Sequence, residues 1–319
     1  MRAPEFWKNE NVISFLLYPL SLIYGFARYL HVFFNKEYKT NLKIICVGNI
    51  TVGGSGKTPV ALKIGDILKE KKIDFAFLSK GYKGNIKEFT KIDLSKHTAI
   101  EVGDEPLLLA EKADTFICNN RKNAIRKLST EYRYKVIVMD DGFQNPTIYK
   151  DISLVVVDGE YGFGNKELLP SGPLREPIFS ALERASAFII IGQDKHYIDD
   201  YLSNANMKTF RACIKEKNIS NNKNKYIAFS GIGRNDKFFY SLKKANFDIE
   251  KQYSYGDHYN YTTDDIDTML IEAQLDKAKL ITTKKDWIRL DEKYKTEIEF
   301  LDVEIDFYDN DDFVEFILK

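Results

Sequence analysis

Leu42-Lys-Ile-Ile-Cys-Val47 runs into Thr51-Val-Gly-Gly-Ser-Gly-Lys-Thr58, and this passage decides the fold. A buried strand that enters a glycine-rich turn and then a helix describes a P-loop. Backbone N–H groups of such a turn cradle phosphate oxygens, the lysine reaches the β/γ-phosphates, and the last hydroxyl holds a divalent cation. Gly53, Gly54 and Gly56 remove the Cβ atoms that would block so close an approach. Thr51 stands where the written G-x-x-x-x-G-K-[ST] pattern has its first glycine. The Gly-Lys-Thr-Pro end and the strand before it outweigh that departure. The expectation is a nucleoside triphosphate site.

Composition narrows the partners. The 319 residues carry 47 Lys plus Arg against 47 Asp plus Glu, so no overall basic field argues for nucleic acid. Cys46, Cys118 and Cys213 are odd in number and far apart. They read as small buried side chains of a reducing compartment, not as a disulfide framework or zinc cluster.

The stretch from Val12 to Phe34, VISFLLYPLSLIYGFARYLHVFF, is apolar and rich in aromatics, but Pro19, Gly25, Arg28 and His31 interrupt it. That leaves no unbroken apolar run of the ~20 residues a membrane-crossing helix needs. Glu5 and Glu10 beside Arg2 and Lys8, with no small-residue cleavage site, do not suit a signal peptide. The expectation is a broken amphipathic helix lying in a membrane interface. The alternative is that the segment packs on the protein's own core.

Downstream, strand-like and helix-like stretches alternate. Strands are expected at 42–47, 73–79, 115–118, 136–139, 152–157 and 187–191, with helices at 59–71, 106–112 and 123–132. The continuously apolar strands suit a parallel sheet covered on both faces. A polar, Asn/Lys-rich run at 214–225 reads as a connection, followed by a smaller α/β unit with segments at 226–230, 236–245, 263–274, 280–283 and 298–305. The fold class expected is α/β: a P-loop NTPase-like, doubly wound, mainly parallel sheet, a smaller C-terminal α/β domain and an N-terminal membrane-interface helix. The domains are placed at residues 1–40, 41–215 and 216–319.

Four further segments carry chemistry. Val136-Ile-Val-Met-Asp140-Asp141 ends a buried strand in carboxylates, where they can face the P-loop and its cation. Gly103-Asp104-Glu105-Pro106 precedes a helix; its acids either cap that helix or supply a metal ligand and a general base. Arg175-Glu176 sits in the stiff loop Leu169-Pro-Ser-Gly-Pro-Leu-Arg-Glu-Pro177, where an arginine can neutralise a transferring phosphoryl group or simply close a surface salt bridge. His258, in Tyr255-Gly-Asp-His-Tyr-Asn-Tyr261, has an acidic neighbour and aromatic surroundings that allow a proton-handling role.

In order along the chain stand VGNITVGGSGKTP, SKGYKG, GDEP, Asn120-Arg121, MDDGFQN, LLPSGPLREP, FSGIGR, YGDHYNY and TTKKDWIRL. This set resembles the tetraacyldisaccharide 4′-kinase family, the lipid A 4′-kinases, from about Phe6 to Leu290. The resemblance implies ATP and Mg²⁺ as cofactors. It implies phosphorylation of the 4′-hydroxyl of a tetraacylated glucosamine disaccharide 1-phosphate, at the cytoplasmic face of the bacterial inner membrane. By the same resemblance, Thr51, Val52, Gly53, Gly54, Ser55, Gly56, Lys57 and Thr58 hold the nucleotide. Asp104 is the base, His258 its partner, and Asp140, Asp141 and Arg175 complete the catalytic set. Thr58, Glu105, Asp140 and Glu176 surround the metal, while Lys80, Tyr82, Arg121, Gln144 and Asn145 contact the disaccharide. The acylated substrate and a membrane surface are the partners implied; no obligate protein partner is evident.

Three positions depart from the family pattern. Asn145 replaces a usual histidine and cannot carry a proton, Lys80 replaces a bidentate arginine, and Lys284 replaces a glutamate at the periphery. Two other classes remain open. A P-loop GTPase or metallochaperone would need a guanine reader, of which Thr282-Thr-Lys-Lys-Asp286 is a faint echo. A non-catalytic ATP-binding protein of the membrane surface would bind ATP without transferring phosphate to lipid.

Overall fold

The computed structural model describes residues 4–217 and 224–319. After a 3₁₀ turn (Glu5–Trp7) come α1 (Val12–Phe33), β1 (Lys43–Gly48), α2 (Lys57–Glu70), β2 (Phe75–Ser79), β3 (Thr90–Lys91), α3 (Ala99–Val102) and α4 (Asp104–Ala110). Then follow β4 (Thr115–Ile117), α5 (Arg121–Glu131), β5 (Val136–Asp140), β6 (Ile152–Asp158), α6 (Ile178–Arg184), β7 (Ala187–Ile191), α7 (Ile198–Asn204) and β8 (Thr209–Lys217). The remainder is β9 (Lys225–Ser230), α8 (Asn235–Lys244), β10 (Asp248–Ser254), α9 (Thr263–Leu275), β11 (Ala278–Thr283), α10 (Lys284–Trp287), α11 (Glu292–Lys295), β12 (Ile298–Phe307) and α12 (Asn310–Leu318).

Among the described residues, all strands join one sheet in the order β10-β9-β11-β12-β8-β7-β6-β1-β5-β2-β4-β3. Pairing is parallel except at β12/β8 and β3/β4. The sequence of β1 explains its central place, because residues of either parity are apolar. Ile44 and Cys46 pack on one face with Ala124, Ile125 and Leu128 of α5. Ile45 and Val47 pack on the other with Val60, Ile64 and Leu68 of α2. Because β1 lies between β5 and β6, the turn after it opens where the strand order reverses, the usual ligand crevice of such sheets.

The C-terminal unit buries its own cores around α9 and α8. The expected boundary near residue 215 falls inside β8. The polar run read as a connection is strand at both ends, and its middle lies outside the described residues. Strand β12 pairs with β11 through Ile298–Leu301 and with β8 through Asp302–Phe307, and α12 returns to the larger unit's core through Phe313 and Ile317.

Helix α1 corrects one expectation. It is a single helix of 22 residues with Pro19 inside it, not a broken one. Asn11 caps it by accepting from the N–H groups of Ile13 and Ser14. Its buried residues are Ser14 and Ser21, whereas Phe15 is 78% and Phe26 63% exposed, so it does not add apolar mass to the protein's own core.

Candidate active site

The glycine-rich turn is built to receive phosphate. Gly53 (φ +118°) and Gly56 (φ +89°) take left-handed conformations that side chains resist, and a Cβ added at Gly53 would meet nothing within 4 Å. The turn therefore faces open space, with Gly56 at the N-terminus of α2, where free N–H groups and the helix dipole favour an anion. The loop carrying Arg175 braces it from outside. Val52 N–H donates to the Pro173 carbonyl (2.9 Å) and Arg175 N–H to that of Ile50 (2.7 Å).

Carboxylates gather opposite. Thr58 Oγ1 donates to Asp140 Oδ2 at 3.0 Å, while Asp140 Oδ1 is buried with no hydrogen-bond partner. Burial, then the nearby Glu105 carboxylate, pushes Asp140 up to about 7, against the pull of Lys57. A buried carboxylate with a bare oxygen, a hydroxyl and a second carboxylate nearby is a hard-oxygen corner suited to a divalent cation. Asp141 behaves differently. Held at φ +52°, its carboxylate lies 3.6 Å from Lys57 Nζ and accepts from Arg175 Nη1 at 3.1 and 3.3 Å. Burial acts to raise it, but Lys57, Arg175 and Arg121 outweigh burial and hold it at about 2.

The second half of the site is assembled across the two units. Asp104, the first residue of α4, is 3% exposed. His258 Nδ1 lies 3.0 Å from its Oδ2, and Lys285 Nζ, from α10, lies 3.8 Å from the same oxygen. Burial raises the Asp104 carboxyl, yet Lys285, His258 and Arg289 outweigh burial and hold it well below the usual carboxylate range. Both acids of the Gly103–Pro106 segment thus face the site. Glu105 pairs with Lys285 at 2.9 Å. Tyr82 packs edge-to-face with His258 and is exposed there, while Lys80, two residues before it, is also exposed.

Lys285 escaped the sequence reading, and the buried Asp286 beside it was read there only as a faint echo of a guanine reader. Asp286 accepts from Gly231 N–H (3.0 Å), Tyr261 O–H (2.9 Å), Thr283 Oγ1 (2.6 Å) and Arg289. It ties the loop that carries His258 to the segment that carries Lys285. With its oxygens so engaged, Asp286 is not a guanine reader. The available signal was the run Thr282–Leu290, whose lysine and aspartate follow a strand end; Lys284 pairs with Glu111 at 2.7 Å.

Several expected ligands also make contacts within the scaffold. Arg121 is buried, and its Nη2 donates to the carbonyls of Asp141 (2.8 Å) and Asp140 (3.4 Å). Gln144 Nε2 donates to the Asn49 carbonyl (2.6 Å) and to Glu176 Oε1 (3.0 Å). Asn145 Oδ1 accepts from Thr147 N–H and Oγ1 in a local turn. Glu176, expected beside the metal, is fully buried and satisfied by Arg28 (2.7 Å), Arg184 and Gln144. Two guanidinium groups already more than balance its single charge, so it is not the oxygen a cation would find bare.

A family model described as tetraacyldisaccharide-1-P 4′-kinase matches residues 13–319. The tetraacyldisaccharide 4′-kinase of Paramagnetospirillum magneticum is 41% identical over 309 residues, 96% of this chain and 94% of that protein. The enzyme of the same name from Rickettsia bellii is 38% identical over 288 residues, 90% of this chain and 89% of its own. Among solved structures, the chain resembles LpxK from Aquifex aeolicus in complex with ATP, with a TM-score of 0.77, 25% identity, and coverage of 96% of this chain and 99% of that one. The chain belongs to the tetraacyldisaccharide-1-phosphate 4′-kinase family.

Proposed function

We propose that the chain transfers the γ-phosphoryl group of ATP to the 4′-hydroxyl of a tetraacylated glucosamine disaccharide 1-phosphate at a membrane surface. The observation that carries this reading is the open glycine cradle with Thr58–Asp140 at its helix end, beside Glu105, whose neighbour Asp104 is buried against His258.

Lys57 and the N–H groups of residues 53–58 hold the triphosphate. Thr58, Asp140 and Glu105 would hold Mg²⁺, which supplies charge neutralisation along the phosphates. Asp104, kept ionised by its cationic neighbours, accepts the hydroxyl proton as the new bond forms, and His258 orients its carboxylate. Arg175, which pairs with Asp141, neutralises charge on the transferring group. Tyr82, beside His258, and the exposed Lys80 two residues before it are the residues we assign to the sugar.

The outward apolar face of α1 fits a lipid interface. Each acyl CH₂ drawn into water costs ~0.8 kcal/mol, so the head group reaches ATP most readily if the chains stay in the bilayer. We read residues 1–40 as the interfacial segment, 41–215 as the phosphoryl-transfer core and 216–319 as the unit that brings His258 and Lys285. The side we assign is the cytoplasmic face of the inner membrane, where ATP is supplied.

Asp104→Ala is expected to lower kcat at least ~100-fold with little change in ATP affinity. Near-normal turnover in that variant would remove Asp104 from the role of base.

A further inference from the structure

The face by which α1 docks is polar. Ser21 Oγ donates to the Leu168 carbonyl (2.8 Å) and accepts from Ser171 N–H (3.0 Å), and Ser171 Oγ donates to the Ser14 carbonyl (2.7 Å). Further along the same stripe, Tyr24 O–H donates to the Arg175 carbonyl at 3.0 Å. Arg28 Nη2 reaches Glu176 Oε2 at 2.7 Å, with side-chain exposures of 13% and 0%. From Glu176 the bonds continue inward. Gln144 Nε2 bridges Glu176 Oε1 and the Asn49 carbonyl, and Asn49 Nδ2 donates to the carbonyls of Thr51 (2.7 Å) and Gly53 (3.4 Å). Every link joins groups with defined partners, and the last ones shape the glycine-rich turn.

We propose that Arg28, with Tyr24 beside it, is a positioning residue for phosphoryl transfer, acting through Glu176 and Gln144 on the glycine-rich turn and through the Arg175 backbone. This rests on the functional reading above. An arginine on a lipid-facing helix ordinarily extends its head toward lipid phosphate. Here it turns inward and pairs with a buried carboxylate that would otherwise keep only Arg184 as its ionic partner. The helix thus has two separable duties: its apolar face meets lipid, and its polar stripe sets the geometry of the transfer site. Because transfer rates depend on sub-ångström alignment, a small loosening of this chain of contacts should appear in turnover before it appears in binding.

The test uses the full chain with tetraacylated disaccharide 1-phosphate dispersed in detergent, so that membrane docking plays no part. Arg28→Gln is expected to lower kcat about 10- to 100-fold, with KM for lipid and sedimentation with phosphatidylethanolamine/phosphatidylglycerol vesicles changed less than about twofold. Arg28→Lys should recover part of the loss. The double variant Arg28→Gln/Glu176→Gln should be no slower than the slower single variant, since both break one chain of contacts. Tyr24→Phe, which removes one hydroxyl and leaves the fold intact, should cost about threefold in kcat and covers the case in which Arg28→Gln folds poorly. A loss confined to KM for lipid would mean that Arg28 holds the substrate's phosphate, and it overturns the proposal, as do unchanged kcat values or additive losses in the double variant. Wild-type turnover is the control: its absence would break the functional reading itself, whereas normal Arg28→Gln turnover beside an active wild type overturns only the positioning role of Arg28.

Discussion

Helices α1 and α2 both reach the phosphate-binding corner, yet they are held there by opposite means. Helix α2 buries Val60, Ala61, Ile64, Ile67 and Leu68 against the sheet and offers Lys57 and Thr58 from its first turn. Helix α1 buries serines and leaves Val12, Phe15, Leu16, Ile23, Phe26 and Phe33 outside. The first is fixed by the hydrophobic effect and can do chemistry only at its end. The second is fixed by a short row of hydrogen bonds and one buried ion pair, which frees its whole apolar face for another medium. Apolar composition alone therefore does not say where a helix goes; the spacing of its few small and polar residues does.

The largest effect expected from this contrast is at the α2 end. Lys57→Ala removes the charge aimed at the β/γ-phosphates and should lower turnover by about 10²–10³-fold or more, measured at saturating lipid with full ATP titration. A loss recovered simply by raising ATP would mean that Lys57 contributes ground-state binding alone. Next comes the α2 core face. Ile64→Ala should destabilise the fold by about 2–5 kcal/mol in a denaturant titration, because Ile64 is fully enclosed. On α1 the paired change Phe15→Ser/Phe26→Ser should move stability by no more than about 0.5 kcal/mol. It should weaken binding to lipid vesicles at least about tenfold, since each aromatic side chain withdrawn from water contributes about 1.5–3 kcal/mol. Equal destabilisation by the α1 and α2 changes would erase the contrast. The smallest effect expected is at the rim: Lys80→Arg, which restores a planar fork, should change KM for lipid less than about threefold and leave KM for ATP unaltered.

Much of this architecture was legible in the residues. Strands β1, β5, β6 and β7 announced themselves as continuous apolar runs, and the glycines with Lys57 and Thr58 named the phosphate cradle. Legibility failed wherever the deciding partner lies far along the chain. Lys285 looks like an ordinary surface residue, and Asp286 like a faint guanine reader, until β11 brings them against α4 and the His258 loop. Glu176, Gln144 and Arg121 have the composition of ligands, but long-range packing gives their polar atoms to Arg28, Asn49 and the Asp140–Asp141 backbone. The continuous path of α1 through Pro19 was hidden for another reason. A proline weighs against a helix locally, and fixed bonds from Ser14 through Ser21 to Arg28 with a distant loop override it. Strand β8 was missed because its polar end reads as a linker until β12 pairs with it.

The most direct test of the central claim is transfer of label from γ-labelled ATP to tetraacylated disaccharide 1-phosphate by the purified chain, with position of attachment read by mass spectrometry. The account predicts a bisphosphorylated lipid carrying the label at the 4′-hydroxyl, formed by the wild type and nearly absent with Asp104→Asn. Label released only as inorganic phosphate, or a lipid product formed equally well by Asp104→Asn, would contradict it.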